Sequence, residues 1–451
     1  MKLRYILAAG TISLAAAAQA QEWMPDTINT GLGYSQDGFY DLNSTQTGSQ
    51  VNNNWDIAFM TGDLMSASII VNHAGNDKNA KLYVLDVDAE ASFGTDLTAD
   101  TAGKTGAEFE LQNSNTDWYT GAFNQNSTGG FSYGWGDYDM STHYINGNKI
   151  YALVNGSGAY QVWIEQYKAS FTDTVRAWKF HVAKLDGTEP SDVTFKPSPD
   201  YDNKLFAYYD FTTRAFVNRE PDMDNWHLLA TRYLDAYDGP GASGAMMSTT
   251  GIVTNTNVEI AKASPLLPED ADYLDYSDSY DTVRNVIGGK YKFVDYEGMP
   301  PGWVLEDSLS YFIKIKNGTG AGDIWQVYFD HFPASTSAST GVDVKIGLQK
   351  RKVYEQPSDI KEVNDLVSTI VLAPNPASNG YTHLLIDARQ NIKDAQITVT
   401  DLGGRVISQY AKNINTGFQQ LDLNISNYSA GMYFIKVSAR GWSNTQKLIV
   451  R

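Results

Sequence analysis

The chain has 451 residues, and its 52 acidic against 34 basic side chains give a formal charge of −18, which argues against nucleic acid and anionic membranes as partners, because both repel it. It has no cysteine, so disulfides, thiolate metal sites, a cysteine nucleophile and a lipid-modified cysteine are excluded. Its 28 tyrosines and 38 glycines, with few amphipathic helical stretches, are the composition of exported β-structure in about two to four domains.

Residues 1–20 read as a signal peptide. Lys2 and Arg4 form a positive start, Ile6 to Ala18 an apolar run too short to span a bilayer, and Ala18-Gln19-Ala20 a small-x-small cleavage pattern. No later stretch has ~20 uninterrupted apolar residues, so no transmembrane segment is expected in the mature chain.

Two regions then repeat one another. "FYDLNSTQTGSQVNNNWDIAF" (39–59) has a twin in "YYDFTTRAFVNREPDMDNWHLLATRY" (208–233), with Tyr40-Asp41-Leu42 matching Tyr209-Asp210-Phe211 and Trp55 matching Trp226. Near the ends, Asn155-Gly156-Ser157-Gly158 matches Asn317-Gly318-Thr319-Gly320, and "YQVWIEQY" matches "WQVYFDHF". Each is a strand, an Asn-Gly turn and a second strand. Closing strands "VRAWKFHVAKL" (175–185) and "GVDVKIGLQKRKVY" (341–354) follow. The prediction is an all-β chain with one domain over 21–193 and a second over 194–355.

Chemistry-bearing patterns are sparse. "PEDADYLDYSDSYD" (268–281) holds six acids without the spacing of an EF-hand, so a solvated acidic loop anchored by its tyrosines is expected. The six histidines form no HxxxH or HxH pair, so no zinc site is expected. His73 is expected in a solvated Gly-Asn loop, and His181 and His227 on strand faces. Without a nucleophile elbow, a phosphate loop or a dinucleotide fingerprint, no enzyme is expected.

A polar linker over 356–368 precedes a compact segment, 369–451, whose short alternating strands and Gly or Asn turns predict a β-sandwich. It carries Pro374-Asn375-Pro376, Asp401-Leu402-Gly403-Gly404-Arg405, Ser429-Ala430-Gly431-Met432-Tyr433-Phe434 and a final Lys447-Leu448-Ile449-Val450. With these four motifs in order, the segment closely resembles the type A C-terminal sorting domain of the type IX secretion system. That resemblance implies recognition by the type IX machinery, secretion to the outer-membrane surface or beyond, removal of the domain, and often attachment to surface lipopolysaccharide.

The repeated blocks resemble the HmuY family of haem-binding proteins, on Tyr40-Asp41-Leu42, Trp55-Asp56-Ile57-Ala58-Phe59, "KIYALVNGSGAYQVWIEQY" (149–167), "NWHLLATRYLDAYDGPGASGAMMSTTG" (225–251) and "LSYFIKIKNG" (309–318). The resemblance implies two tandem HmuY-like β-domains and a pocket for haem held by two axial side chains, histidine or methionine. The first ligand position falls in 268–281, which has neither. The second falls in 292–307, which offers Tyr296 and Met299; the corresponding stretch of the first repeat, 131–147, offers Met140 and His143. Met246 and Met247, after a Gly-rich loop, would give soft contacts to a flat apolar ligand. The reading is a secreted surface binding protein capturing haem or a related tetrapyrrole; the alternative is a structural or adhesive surface protein that binds none.

Overall fold

The computed structural model describes residues 22–63, 66–168, 176–197, 199–236, 245–298, 302–317, 320–333, 344–355, 367–378, 380–439 and 442–451. The expected signal peptide, Met299 and most of the linker lie outside them. The chain divides into two compact units, 1–356 and 357–451. Both are built of antiparallel strands, as the sequence predicts. The one α-helix among the described residues is the single turn Ala89–Ser92, capped by the Asp88 side chain.

Among the described residues the larger unit holds four main sheets and a separate two-stranded hairpin, Lys292–Asp295 with Gly302–Leu305. One outer sheet runs Ser191–Phe195, Ala177–Lys184, Gly158–Lys168, with Ile150–Asn155 and then Lys81–Leu85 beyond it. The other runs Met24–Gly31, Val344–Tyr354, Gly320–His331, Ser310–Asn317, Val258–Ala263. Between them lie two inner sheets of four strands each. The first orders Ala215–Val217, Phe206–Asp210, Ile57–Met60, Ile69–Val71; the second, Gln46–Val51, Gln36–Tyr40, Leu228–Ala236, Met246–Thr254.

These pairings cross the boundary expected at 193/194. The opening hairpin of the first repeat joins the second repeat, Tyr40 opposite Leu228. The opening hairpin of the second repeat joins the first, Tyr209 opposite Ile57. The edge strands obey the same rule: Met24–Gly31 pairs with the last strand of repeat two, and Ser191–Phe195 with the last strand of repeat one. Each repeat therefore donates its first three strands to the lobe completed by the other. Lobe 1 comprises roughly 52–217 without its own N-terminal strands, and lobe 2 joins 22–51 to the stretch from Trp226 to Glu355.

Alternation along the inner strands explains the stacking. Ile57 and Phe59 enter the core of lobe 1, while Ala58 and Met60 enter a core shared between the inner sheets. Tyr209 and Ala207 divide from Tyr208 and Phe206 in the same way. In lobe 2, Tyr40, Leu228 and Ile252 face the outer sheet; Phe39, Leu229 and Val253 face the shared core. Strands buried on both faces need continuous apolar runs, which is why "DIAFM" and "FAYYDF" lack the polar alternation of a surface strand.

Both exchange points are fixed by equivalent polar contacts. Phe211 donates its N–H to Asp56 Oδ2 at 2.7 Å, and Leu42 donates to His227 Nδ1 at 3.2 Å. Asp56 is fully buried; Lys78 Nζ lies 2.8 Å from it and 3.3 Å from Asp210. Burial pushes the Asp56 pKa up, against the Lys78 ammonium and the Phe211 N–H. Asn72 donates Nδ2 hydrogens to the Asn52 and Trp55 carbonyls, and Asn255 to those of Met223 and Trp226. These two asparagines hold the tryptophan loops, and the sequence comparison of the repeats does not single them out.

The smaller unit is a sandwich of a three-stranded and a four-stranded sheet. Its motifs have local reasons. Asn375 accepts from Ile449 N–H and donates to the Lys447 carbonyl, tying the Pro-Asn-Pro segment to the last strand. Asp401 Oδ1 caps the N–H groups of Gly403 and Arg405, with Gly404 at φ +76°, where a side chain would be strained.

Candidate functional site

The expected iron contacts occupy equivalent places in the two lobes. Met140 and His143 lie at the turn joining Gly136–Asp139 to Tyr144–Gly147; Tyr296 lies at the turn joining Lys292–Asp295 to Gly302–Leu305. Both turns reach into solvent: Met140 is 65% exposed and Tyr296 66%. His143 Nδ1 is 2.7 Å from the Tyr138 hydroxyl, its hydrogen-bond partner. Met246 and Met247 begin the edge strand Met246–Thr254 of lobe 2, and Met247 is half exposed. None of the five described candidates lines either of the two cavities below. His73, expected in solvent, is buried: its Nδ1 bonds the Ala80 carbonyl at 2.7 Å, its Nε2 accepts from Asn113 N–H, and desolvation lowers its pKa to about 4. His181 is held between Glu165 and Asp192, each at 2.6 Å, and stacks on Trp163. The loop 268–281 packs Tyr273, Tyr276 and Tyr280 on the lobe 2 sheet, leaving its acids outward, as expected.

One cavity, of about 60 Å³, lies between the inner sheets among Trp55, Trp118, Tyr208, Arg219 and Arg284. It is large enough for a few water molecules and too small for an organic ligand. Arg219 is committed there to Asp37 at 2.8 Å, and Arg284 covers the Trp118 ring at 4.2 Å.

The second cavity, about 320 Å³, belongs to lobe 2 and has the size of a ligand site. Strand Met246–Thr254 supplies Ser248, Thr249 and Thr250; the hairpin 292–305 supplies Lys292 and Trp303; Tyr34, Arg232 and Phe332 complete the lining. Close backbone contact builds it. Gly251 lies against Gly288, where a Cβ would come within 2.6 Å of backbone, and Ile252 and Gly288 exchange hydrogen bonds at 2.9 Å. This contact draws the hairpin over the sheet and turns Lys292 inward.

Lys292 is 7% exposed. Its Nζ donates to the Thr250 carbonyl at 2.7 Å and lies 4.4 Å from the Phe332 ring centre, 4.8 Å from Tyr291 and 5.0 Å from Trp303. Desolvation by burial pushes its pKa down to about 7. Arg232 bonds Asn76 and Ser248 through two of its five N–H groups, at 2.6 and 3.1 Å. Neither cation forms an ion pair among the described residues. Burial raises the pKa of Tyr34 against the pull of Arg232, so its hydroxyl stays protonated. The arrangement is a guanidinium and a buried amine, neither in an ion pair among the described residues, with a Ser-Thr-Thr strand segment and aromatic faces. It suits an anionic group on a ring-shaped body. Sequence reading missed Lys292 because "KYKFVD" alternates as though Tyr291 and Phe293 shared the buried face; the structure buries Tyr291 and Lys292 and leaves Phe293 half exposed.

Residues 371–451 match the secretion system C-terminal sorting domain family, within two residues of the expected start. That segment directs the protein to the cell surface or the extracellular space and implies handling by the type IX machinery. Three solved structures are similar at very low level. Dimeric latent PorU from Porphyromonas gingivalis has 11% identity and a TM-score of 0.15, over 68% of this chain and 32% of its own. PorZ of the same organism, described as an essential surface component of the type IX secretion system, has 10% and 0.16, over 70% and 44%. Native α2-macroglobulin of E. coli has 9% and 0.15, over 96% and 23%. The chain spans less than half the length of each, and TM-scores this low carry no argument. No curated protein matches the chain. Among the described residues no helix is long and apolar enough to cross a membrane.

Proposed function

We propose that the larger unit is a surface-displayed binding protein, not an enzyme, and that the 320 Å³ cavity of lobe 2 is its ligand site. The observation that carries this is the pair Arg232 and Lys292, two basic groups with no ion-pair partner among the described residues, in one ring-lined cavity of a chain with formal charge −18. The ligand is an anion on a planar or ring-shaped body. Haem or a related tetrapyrrole belongs to this class: its propionates would meet Arg232 and the Lys292 nitrogen, and its face Trp303 and Phe332. The resemblance of the repeats to the HmuY family supports that finer reading, and Met246, Met247 and Tyr296 belong to the strand and hairpin that form the cavity. On this reading the sorting domain is removed during export, and attachment to lipopolysaccharide retains the remainder at the surface.

Titration of the full chain with haemin, followed by Soret absorbance, tests it. A saturable shift of unit stoichiometry, weakened about tenfold or more by Arg232→Ala, is expected. A spectrum equal to free haemin overturns the tetrapyrrole reading. The second reading, an adhesive protein without haem, is favoured by the exposure of Met140 and Tyr296 at the two hairpin turns. It predicts that Arg232→Ala leaves surface adhesion unchanged and that substitutions at those turns abolish it.

A further inference from the structure

The lobe 2 cavity contains a nitrogen that binding of an anion alone does not explain. A lysine that only attracts an anion works best as a mobile, hydrated ammonium. Lys292 is fixed instead: one carbonyl accepts from it, three rings enclose its end, and no carboxylate stands within ion-pair distance among the described residues. A buried amine without a counter-ion is the arrangement that favours the uncharged form and with it nucleophilicity. The ring faces favour the ammonium in return, and desolvation outweighs them to leave the pKa at about 7.

We propose that Lys292 is a covalent capture point: its uncharged amine forms an imine with an aldehyde or keto group of a ligand whose anionic group is received by Arg232. This rests on the cavity being the ligand site. The nitrogen lone pair adds to the carbonyl carbon, and one N–H proton passes to the oxygen to give a carbinolamine. The second N–H proton leaves with that hydroxyl as water, and the C=N bond forms. No oxidant or reductant is needed. Strand Met246–Thr254, whose Thr250 carbonyl holds the amine, forms one wall of the cavity. Reversal by water releases the ligand, as a capture protein requires.

Selectivity follows from protonation. At pH 7 a lysine of ordinary pKa is uncharged in roughly one molecule in three thousand, whereas one with a pKa near 7 is uncharged in half. At low carbonyl concentration Lys292 should therefore react ahead of exposed lysines.

The probe is pyridoxal 5′-phosphate, an aldehyde on an aromatic ring with an anionic group. The full chain at pH 7 is mixed with a small excess, tryptophan quenching is read, borohydride is added, and the reduced adduct is located by peptide mass analysis. One adduct per chain on Lys292 is expected, absent in Lys292→Arg and needing about tenfold more probe in Arg232→Ala. Mapping on the unaltered protein keeps the test independent of whether variants fold. Adducts confined to exposed lysines such as Lys81 and Lys345 overturn the inference. Saturable quenching without an adduct on Lys292 overturns imine formation and leaves the cavity as a binding site. Absence of both quenching and adduct, together with no haemin shift, overturns the site as well.

Discussion

Replacing Lys78 by methionine should destabilise the larger unit more than any exposed change, because it strips the exchange point of its counter-ion. Lys78 lies 2.8 Å from Asp56 and 3.3 Å from Asp210, and Asp56 has no exposed surface. Leaving such a charge unpaired costs about 3–5 kcal/mol. With a urea m-value of about 2–3 kcal/mol/M, the midpoint should fall by about 1–2.5 M. Tryptophan fluorescence reads this unit well, since only Trp442 of the ten tryptophans lies outside it. The double variant Asp56→Asn/Lys78→Met should recover part of the loss, because asparagine can still accept the Phe211 N–H without carrying charge. The pH dependence has a definite sign. The folded pKa of Asp56 is already raised by burial, and without the ammonium it rises further. A carboxyl raised in the folded state contributes stability below its unfolded value of about 4 and loses it as pH rises through the folded value. The deficit of Lys78→Met should therefore be full at alkaline pH and shrink in acid. A deficit under about 1 kcal/mol, or a double variant less stable than the single, would refute the assignment of Lys78 as the neutralising charge.

Two further outcomes follow from the same structure. Glu220 is buried, accepts from the Leu205 and Phe206 N–H groups and the Tyr208 hydroxyl, and has its pKa raised to about 7, chiefly by desolvation. Its contribution is present below pH ~4.5 and lost as pH rises through 7, roughly 3 kcal/mol in all, so Glu220→Gln should flatten the fall in stability between those values in urea titrations. Asn72→Ala and Asn255→Ala should each cost about 1–3 kcal/mol in thermal melts, the first by removing the side-chain donor to the Asn52 and Trp55 carbonyls and the second, somewhat less, by removing the donor to the Trp226 carbonyl, since Asn257 still donates to Met223. A loss at one position alone would break the equivalence of the exchange points.

The repeat was legible because its signals are local. A tryptophan after a loop, an Asn-Gly turn and a closing strand each fix a few neighbouring residues, and they recur in order whatever the strands later pair with. The sorting segment was legible for the same reason: Asp401 caps its own turn, four residues long, from within the motif. The all-β class followed from composition and alternation. Chain order says nothing of which copy a hairpin joins. Tyr40 and Tyr209 are equivalent in sequence and in pairing, yet each pairs across to the other repeat. An inner strand buried on both faces presents the same apolar run to either partner, so the choice rests on how the four layers close.

The candidate site divides along the same line. Sequence placed attention on the hairpins around 140 and 296 and on the strand after Met246, and the strand and the second hairpin do build the lobe 2 cavity. It chose their turn residues, which carry the familiar iron-binding side chains, and passed over Lys292 and Arg232. Strand alternation predicts a lysine between Tyr291 and Phe293 to be solvated. Only the contact of Gly251 with Gly288, residues 37 apart in sequence, brings the hairpin over the sheet and puts that lysine among three rings. The sequence determined the elements, their repetition and the export signal, because these depend on near neighbours. The exchange of strands and the chemistry of the cavity were decided by the tertiary structure, because burial and desolvation depend on what distant segments cover.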